Sequence, residues 1–387
     1  MDRRQFLKMV SAGAAATGAA PWVSFAAAPG GVYRNLLILI ELKGGNDGLN
    51  SVIPFDNPAY YKLRPRLAIA RDQVLQLGSG CGLHPQLAKL KTLWDKDELA
   101  IVQGLGYPHP NLSHFRSIEI WDTASKSDEY LDEGWLTRTL VSRPAPRSFA
   151  ADGVIVGSGD MGPLAGQGVR AIALSNTGAF LRAAKLARPT GDARNAALKH
   201  ILGVERDVIQ AAGKLNANYT FKTEFPRNPF GNAVKTAAQL VASNAGIAVI
   251  RLTHNGFDTH SNQLAVQGNL LGVLAEGIEA LKSALTELNC WNATLVMTYA
   301  EFGRRPQENQ SGGTDHGTAN VHFLTGGRVK GGLYGQVPRL DKLDGNGNLP
   351  FDVDFRSLYA TVLERWWSID SKAVLGKKYA ALDIIKA

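Results

Sequence analysis

The sequence predicts an α/β protein with a doubly wound, mainly parallel sheet and helices on both faces. Short apolar runs alternate along the chain with longer segments of helical periodicity, which is the order of parallel strands and their crossover helices. The apolar runs are continuous, as is typical of strands buried on both faces. The 387 residues are 45% hydrophobic and 20% charged, which excludes a largely disordered chain.

In chain order, the apolar runs predict strands at residues 36–40, 99–102, 247–252 and 294–298. Helical periodicity predicts helices at residues 87–94, 197–212, 233–243, 264–288 and 355–367. Residues 203–232 hold turns rich in Asn, Lys and Pro and are interpreted as a helical insertion or a lid. Residues 335–352 are interpreted as an irregular loop or hairpin. Neither segment indicates a domain boundary, so residues 29–387 are predicted to form a single domain.

Residues 1–28 have the pattern of an export signal. Arg3 and Arg4 open a basic start, an Ala- and Gly-rich middle follows, and small residues end the segment at 26–28. The paired arginines and the weakly hydrophobic middle indicate the twin-arginine class. We therefore expect the Tat export machinery as a partner, cleavage near residues 27–30, and a periplasmic or otherwise exported protein. The apolar stretch is short and Gly-rich, which favours a cleaved signal over an amphipathic helix or a stable membrane anchor.

Charge and cysteine content exclude several classes of protein. The 42 Lys and Arg residues against 34 Asp and Glu residues give a net charge of +8, and the basic residues are scattered. This moderate positive charge favours anionic ligands and does not indicate nucleic acid as a partner. The two cysteines, Cys81 and Cys290, are too few for a disulfide scaffold, a Cys-rich zinc module or a ferredoxin-type cluster. The oligomeric state is left open.

Residues capable of chemistry follow each of the four predicted strands. In chain order they are Asp47, Ser113 and His114, Asp258 and His260, and Glu301 and Arg304. Because open α/β sheets bind their ligands at the carboxyl ends of the strands, we expect these side chains to meet at one edge. The general polarity of loops is the alternative explanation.

Asp258 and His260 are candidate metal ligands. A carboxylate and an imidazole two residues apart, just past a strand end, can converge on one ion, and both suit zinc, manganese or iron. His316, in a Gly-rich loop, is a candidate third ligand, and Asp315 is either a ligand or a residue that orients a ligand histidine. The alternatives are that Asp258 and His260 cap a turn and that His316 lies in a solvated loop.

The other candidates each allow more than one interpretation. Ser113 occupies a predicted helix N-cap, where a hydroxyl is either a nucleophile or an ordinary cap. Glu301 is a metal ligand or a base and Arg304 is a clamp for an anionic group, unless the two form a surface ion pair. Asp47 is a ligand or part of a tight turn. His114 is a base, a ligand or a packed side chain.

An ordered set of short motifs resembles the bacterial family called domain of unknown function 1501. The motifs are LKGGNDGLN at 42–50, GLHP at 82–85, SHF at 113–115, GWL at 134–136, FDTH at 257–260, EFGR at 301–304, GGTDHG at 312–317 and DFR at 354–356. The motifs are distributed in order over nearly all of the mature chain. That family in turn resembles the alkaline phosphatase superfamily, which implies a parallel-sheet core with a two-metal site at the carboxyl ends of the strands.

The superfamily resemblance implies roles for individual residues. The residues that match its first aspartate, nucleophile, later Asp–His pair and last histidine are Asp47, Ser113, Asp258, His260 and His316. Glu301 stands where the superfamily has an aspartate and can replace it as an oxygen ligand. Phe302 stands where the superfamily has a histidine and cannot bind metal, so we expect one ion held by Asp258, His260 and His316. The sulfatase signature Cys-x-Pro-x-Arg is absent from the sequence, so we do not expect formylglycine chemistry.

These features predict an exported hydrolase of anionic esters, with phosphate esters as the expected class and zinc or manganese as the expected metal. Ser113 is expected to attack the ester, while Arg304 and backbone amides hold the developing charge. The alternative is a non-catalytic binding or assembly protein that keeps the fold, which Phe302 motivates. A third possibility is a hydrolase that uses Ser113 with a histidine and no metal.

Overall fold

The computed structural model describes residues 32–186 and 195–386, so the predicted signal peptide at residues 1–28 lies outside the described residues. The described residues form a nine-stranded sheet and a separate three-stranded sheet. In chain order the strands are β1 (Leu36–Lys43), β2 (Val52–Ile53), β3 (Leu75–Gly78), β4 (Cys81–Leu83), β5 (Leu99–Gly106), β6 (Ala151–Val156), β7 (Ala171–Leu174), β8 (Ile247–Asn255), β9 (Thr294–Tyr299), β10 (Asn320–Thr325), β11 (Gly332–Tyr334) and β12 (Val353–Asp354).

The large sheet is mainly parallel, as the sequence predicts. Its strand order is β11–β5–β10–β9–β1–β8–β6–β7, and β12 also pairs with β5. Strand β10 runs antiparallel to both β5 and β9, whereas the other pairs of this sheet are parallel. Strands β5 and β9 therefore run in the same direction. As a result, the carboxyl ends of β1, β5, β8 and β9 lie at one edge of the sheet.

Helices of very different length connect the strands. The α-helices are α1 (Gly48–Ser51), α2 (Pro58–Leu63), α3 (Ala88–Trp94), α4 (His114–Thr123), α5 (Trp135–Ser142), α6 (Thr177–Ala184), α7 (Ala196–Lys214), α8 (Pro229–Ala242), α9 (Gln263–Glu287), α10 (Arg356–Thr361) and α11 (Ser371–Leu375). Short 3-10 helices lie at Arg71–Gln73, Pro85–Leu87, Gly162–Leu164 and Trp291–Ala293, and a π-helical turn at Val362–Trp366 follows α10.

The helices cover both faces of the sheet, which confirms the doubly wound class. Successive side chains of a strand point to opposite faces. Ile38 and Ile40 of β1 accordingly pack in a core with α3, α8 and α9. Leu37 and Leu39 pack in a second core, with α4, α5 and α10. A smaller third cluster includes residues of α1, β2 and α2.

The four predicted strands and five predicted helices are all present, although their ends differ by a few residues. The last predicted helix, 355–367, is α10 extended by the π-helical turn. Residues 203–232 comprise the end of α7, an irregular stretch and the start of α8. Residues 335–352 form an irregular loop without helix or strand, as expected. The sequence did not predict β10, which enters the sheet between β5 and β9.

Helix α9 is the one helix in residues 32–186 and 195–386 that is long and apolar enough to cross a membrane by length and composition. In the fold it contributes to the main core, where Leu271, Leu274 and Leu281 are fully buried. Half of its apolar window is buried within the protein. Its apolar composition is thus explained by packing against the sheet and α8.

Candidate metal centre

The loops at the carboxyl edge of the sheet bring most of the candidate residues together. The loop after β1 carries Gly44 and Gly45, the loop after β5 leads to Ser113, and the loop after β8 carries the segment 257–260. The residues after β9 include Glu301 and Arg304. An isolated antiparallel bridge between Arg304 and His316 holds the Gly-rich loop against this segment.

Three histidines and one aspartate converge there: His114, Asp258, His260 and His316. Nε2 of His260 lies 3.0 Å from Oδ1 of Asp258 and 3.0 Å from Nε2 of His316. Nε2 of His316 lies 3.3 Å from the same carboxylate oxygen, and Nε2 of His114 lies 3.4 Å from Oδ2. The side chains of Asp258 and His260 are 47% and 45% exposed, so small molecules have access to the cluster.

The second ring nitrogen of His316 and of His260 is bonded to an acceptor. Nδ1 of His316 donates to the carbonyl oxygen of Leu112 at 2.8 Å, since a carbonyl can only accept. Nδ1 of His260 faces Oδ1 of Asp315 at 3.3 Å. In the neutral rings these bonds hold the proton on Nδ1 and leave a lone pair on Nε2. Of the two roles predicted for Asp315, this contact matches the orientation of a ligand histidine.

The geometry of this cluster fits a divalent cation. When both rings are neutral, the lone pairs of His260 and His316 face one another and an ionised carboxylate, an arrangement that a cation or a shared proton between them stabilises. Burial lowers the pKa of His316, which favours its neutral, ligating form. Ligands at about 2.0–2.1 Å from a tetrahedral zinc ion are about 3.3 Å apart, close to the separations of 3.0 and 3.3 Å in the cluster. Asp258, His260 and His316 therefore suit the ion that the sequence predicts.

Glu301 lies behind His114 rather than among the converging atoms. Its buried carboxylate faces Nδ1 of His114 at 2.8 Å and accepts from the backbone N–H of Gly44 at 3.0 Å. The hydrogen bond to Glu301 raises the pKa of His114. Glu301 is therefore not positioned as a direct metal ligand, contrary to the expectation from the sequence, because the imidazole of His114 lies between Glu301 and Asp258.

Arg304 is buried and bonded to protein acceptors, so it cannot clamp a substrate as the sequence suggests. Its side chain is 0% exposed. The acceptors of its guanidinium are Asp258 Oδ1 at 2.6 Å and the backbone carbonyls of Gly44, Gly45, Phe257 and Thr314. Burial acts to raise the pKa of Asp258, but chiefly the hydrogen bond and the charge of Arg304 outweigh it and lower that pKa to about 2.

Asp47 does not join the cluster. Its carboxylate forms a buried ion pair with Arg64, at 2.5 Å between Nη1 and Oδ2 and 3.0 Å between Nη2 and Oδ1. It also accepts from the backbone N–H of Leu49 and from the side-chain amide of Gln263. These partners use the oxygens of Asp47 within the protein. The prediction of Asp47 as a metal ligand is therefore corrected to a buried structural carboxylate that caps α1.

Ser113 lies at the rim of the cluster, as the N-cap residue of the ten-residue helix α4. Its side chain is exposed and makes no capping hydrogen bond. The residue before it, Leu112, holds His316, and the residue after it is His114. The chain therefore places Ser113 next to two residues that contact or belong to the cluster, at the positive end of a helix and with a hydroxyl that makes no capping bond.

Phe302 and two glycines determine the packing around the cluster of His114, Asp258, His260 and His316. The buried ring of Phe302 packs on His114 and His316, with ring centroids 4.9 and 4.6 Å apart. Gly44 has a φ of +116°, and a Cβ there would lie 2.4 Å from the backbone nitrogen of Asp258. A Cβ on Gly313 would lie 2.2 Å from the backbone carbonyl carbon of His260. The glycine-rich loops thus permit the close backbone approach that forms the cluster.

His114 is the member whose role the sequence left open. Its position directly after Ser113 was the available signal. The contact that orients it, with Glu301, joins residues 187 apart in sequence, and no local pattern reveals such a pair.

Several solved structures have a similar fold, all at low sequence identity. A sulfatase from Pseudoalteromonas sp. has 10% identity and a TM-score of 0.42, over 90% of this chain and 70% of that chain. The C-terminal periplasmic domain of EcEptC from Escherichia coli, in complex with Zn, has 10% identity and a TM-score of 0.37, over 76% and 73%. The alkaline phosphatase of the Antarctic bacterium TAB5 has 9% identity and a TM-score of 0.34, over 76% and 92%.

Among curated proteins, no relative matches this sequence. A family model described as "Protein of unknown function (DUF1501)" matches residues 100–377, which is more than half of the chain. This agrees with the resemblance carried by the ordered sequence motifs. The protein therefore belongs to the DUF1501 family.

Proposed function

We propose that this protein is a metal-dependent hydrolase of phosphate esters in which Ser113 is the nucleophile. One observation carries the proposal: an exposed N-cap serine without a capping bond adjoins a cluster of ring nitrogens and carboxylate oxygens that fits a divalent ion. Hydrolysis of an anionic ester needs both a nucleophile and fixed positive charge near the reacting group. The net charge of +8 also favours anionic substrates.

In this proposal the ion, held by Asp258, His260 and His316, supplies Lewis-acid polarisation of the ester when bound. Ser113 Oγ attacks phosphorus and loses its proton, the alcohol leaves with a proton, and water then hydrolyses the phosphoserine. The N-terminal end of α4 stabilises negative charge on the phosphoryl group at Ser113. Arg304 acts indirectly, because its bond to Asp258 keeps that carboxylate ionised and fixed.

The test is hydrolysis of aryl and alkyl phosphates by the mature protein loaded with zinc or with manganese. We expect Ser113→Ala to lower kcat by about 10³-fold or more while the metal content stays unchanged. Ser127→Ala is the matched control, since Ser127 is a surface serine in the loop that follows α4. Equal turnover by Ser113→Ala and the unmodified protein would contradict the assignment.

A non-catalytic, metal-binding assembly protein is the second candidate, and Phe302 favours it. Its ring occupies a position beside His114 and His316 where the superfamily resemblance implies another imidazole. The same substrate screen separates the two candidates. Metal retained without turnover of any phosphate ester by the unmodified protein would favour the assembly role.

We also propose that the protein is exported by the Tat machinery and acts in the periplasm or outside the cell. The support comes from Arg3 and Arg4, the Ala- and Gly-rich segment and the small residues at 26–28. The proposed metal site is complete only in the folded protein. Export through this pathway is compatible with such a site, because the pathway carries folded substrates.

A further inference from the structure

We infer that His114 is a ligand of the ion and that Glu301 is a positioning residue that acts through it. The inference rests on the proposed metal site but not on hydrolytic activity. His114, Asp258 and His316 each offer one ligand atom, and these atoms all lie within 4.8 Å of one another. This group is the one of its kind in residues 32–186 and 195–386.

The two oxygens of Asp258 face different histidines. Oδ1 is approached by His260 and His316, whereas Oδ2 is approached by Nε2 of His114 at 3.4 Å. The ring of His114 lies edge-on to that of His316, with centroids 4.4 Å apart. Nε2 of His114, Nε2 of His316 and the carboxylate of Asp258 thus lie close together, and imidazole nitrogen and carboxylate oxygen are ligand types that zinc takes.

All three imidazoles are oriented in the same way. Nδ1 of His114 is bonded to Glu301, Nδ1 of His260 to Asp315, and Nδ1 of His316 to the carbonyl of Leu112. Each ring therefore keeps its proton on the nitrogen that points away from the cluster and directs a lone pair inward. This carboxylate–histidine pattern is the usual outer support of a metal-ligating imidazole.

Glu301 is well suited to hold His114 in this tautomer. Its side chain is 3% exposed, and the backbone N–H of Gly44 fixes both of its oxygens, at 3.0 and 3.2 Å. A buried carboxylate that is held from one side can accept from the imidazole without turning toward the ion. Glu301 thereby orients a ligand without being one.

Arg304 places a permanent positive charge against Asp258. Its guanidinium donates to four backbone carbonyls and to Asp258 Oδ1. A second divalent ion on Asp258 would face this charge 2.6 Å from the shared oxygen. We therefore expect one ion per chain.

The experiment measures zinc stoichiometry by elemental mass spectrometry and zinc affinity by competition with a chromophoric chelator, together with the visible spectrum of the cobalt(II) protein. We expect one ion per chain and the intense absorption of four-coordinate cobalt. His114→Gln should lower zinc affinity by about 100-fold and weaken that absorption, and Glu301→Gln should lower the affinity by about 10–100-fold. The control is His109→Asn, because His109 is an exposed loop residue with a φ of +53°, which Asn tolerates.

If His114→Gln does not fold, His114→Cys replaces it, since a thiolate can take the place of the imidazole as a ligand and should keep the cobalt spectrum four-coordinate. Unchanged zinc affinity and cobalt absorption in His114→Gln would overturn the assignment, and two zinc ions per chain would overturn the role of Arg304. Either result can occur while phosphate esters are hydrolysed. Conversely, one ion with the expected losses in a protein that hydrolyses no ester would overturn only the proposed function.

Discussion

Two aspartate–arginine pairs show at the residue scale how burial decides what a carboxylate can do. Asp47 and Arg64 are both 0% exposed, and protein donors use both oxygens of Asp47. Asp258 also pairs with a buried arginine, Arg304, but its own side chain is 47% exposed and faces three histidines. The same two residue types therefore form a structural ion pair in one place and part of the proposed metal site in the other.

Two buried histidines outside the cluster predict a loss of stability in acid. Burial lowers the pKa of His84 to about 4 and that of His322 to about 3, from an ordinary value of 6.5. Below pH 6.5 the unfolded chain binds protons at these histidines that the folded chain does not bind. Their contribution to the unfolding free energy is therefore fully present above pH 6.5 and declines as the pH falls toward 4 and 3. Each histidine contributes a slope of up to about 1.4 kcal/mol per pH unit.

The measurement is urea unfolding of the metal-free protein between about pH 7 and pH 5. His84 caps a 3-10 helix by accepting from the N–H of Gln86 at 3.1 Å, and Asn can keep such a cap without titrating. We expect His84→Asn to reduce the pH dependence of the unfolding free energy by up to about 1.4 kcal/mol per pH unit, most strongly near pH 5, and the exposed control His109→Asn to leave it unchanged. Identical slopes for His84→Asn and the unmodified protein would disprove this prediction.

At the scale of elements, short loops rather than helices or strands carry the proposed ligands Asp258, His260 and His316. Asp258 and His260 follow β8, and His316 is carried by the Gly-rich loop before β10. The two loops touch through their backbones, where the N–H of Thr314 donates to the carbonyl of Thr259 at 3.2 Å. The separation of the ligands therefore depends on how closely these loops can approach.

Gly313 is the position at which this dependence can be tested. A Cβ there would lie 2.2 Å from the backbone carbonyl carbon of His260, so Gly313→Ala must push the β8 loop away. We expect zinc affinity to fall by about tenfold or more, as when residues that orient ligands are removed. Gly345→Ala is the control, because a Cβ at Gly345 meets no atom within 4 Å. Equal zinc affinities in the two variants, measured by chelator competition, would exclude this role for the loop contact.

At the scale of the whole molecule, the sheet order determines which loops meet. Strand β1 lies between β8 and β9, so the loops after all three are neighbours. Strand β5 is separated from β9 by β10, whose antiparallel direction keeps the end of β5 at the same edge. This arrangement brings α4, with Ser113 and His114 at its start, to the loops that follow the central strands.

Export is the remaining prediction at this scale. Replacing Arg3 and Arg4 by lysine keeps the charge of the predicted signal but removes the paired arginines that identify the twin-arginine class. In a bacterial host with this pathway, we expect the double variant to accumulate uncleaved in the cytoplasm, as judged by cell fractionation and immunoblotting. The unmodified protein in a host that lacks the pathway is the control. Export of the double variant at the normal level would contradict the assignment.

Local patterns in the sequence were sufficient to predict the α/β class, four strands of the large sheet and the edge at which the candidate residues lie. These features follow from apolar runs, helical periodicity and the direction of parallel strands, and each is encoded within a few adjacent residues. Asp258, His260 and His316 could be proposed from their neighbours for the same reason.

The tertiary structure alone decided the partner of each remaining polar group. Glu301 contacts His114 across 187 residues, Arg304 is enclosed by carbonyls from distant loops, and Asp47 pairs with Arg64. Whether a carboxylate or a guanidinium is a ligand, a support or a structural ion depends on its burial and on the donors or acceptors around it. Those surroundings come from segments far apart in the chain, so only the folded protein defines them.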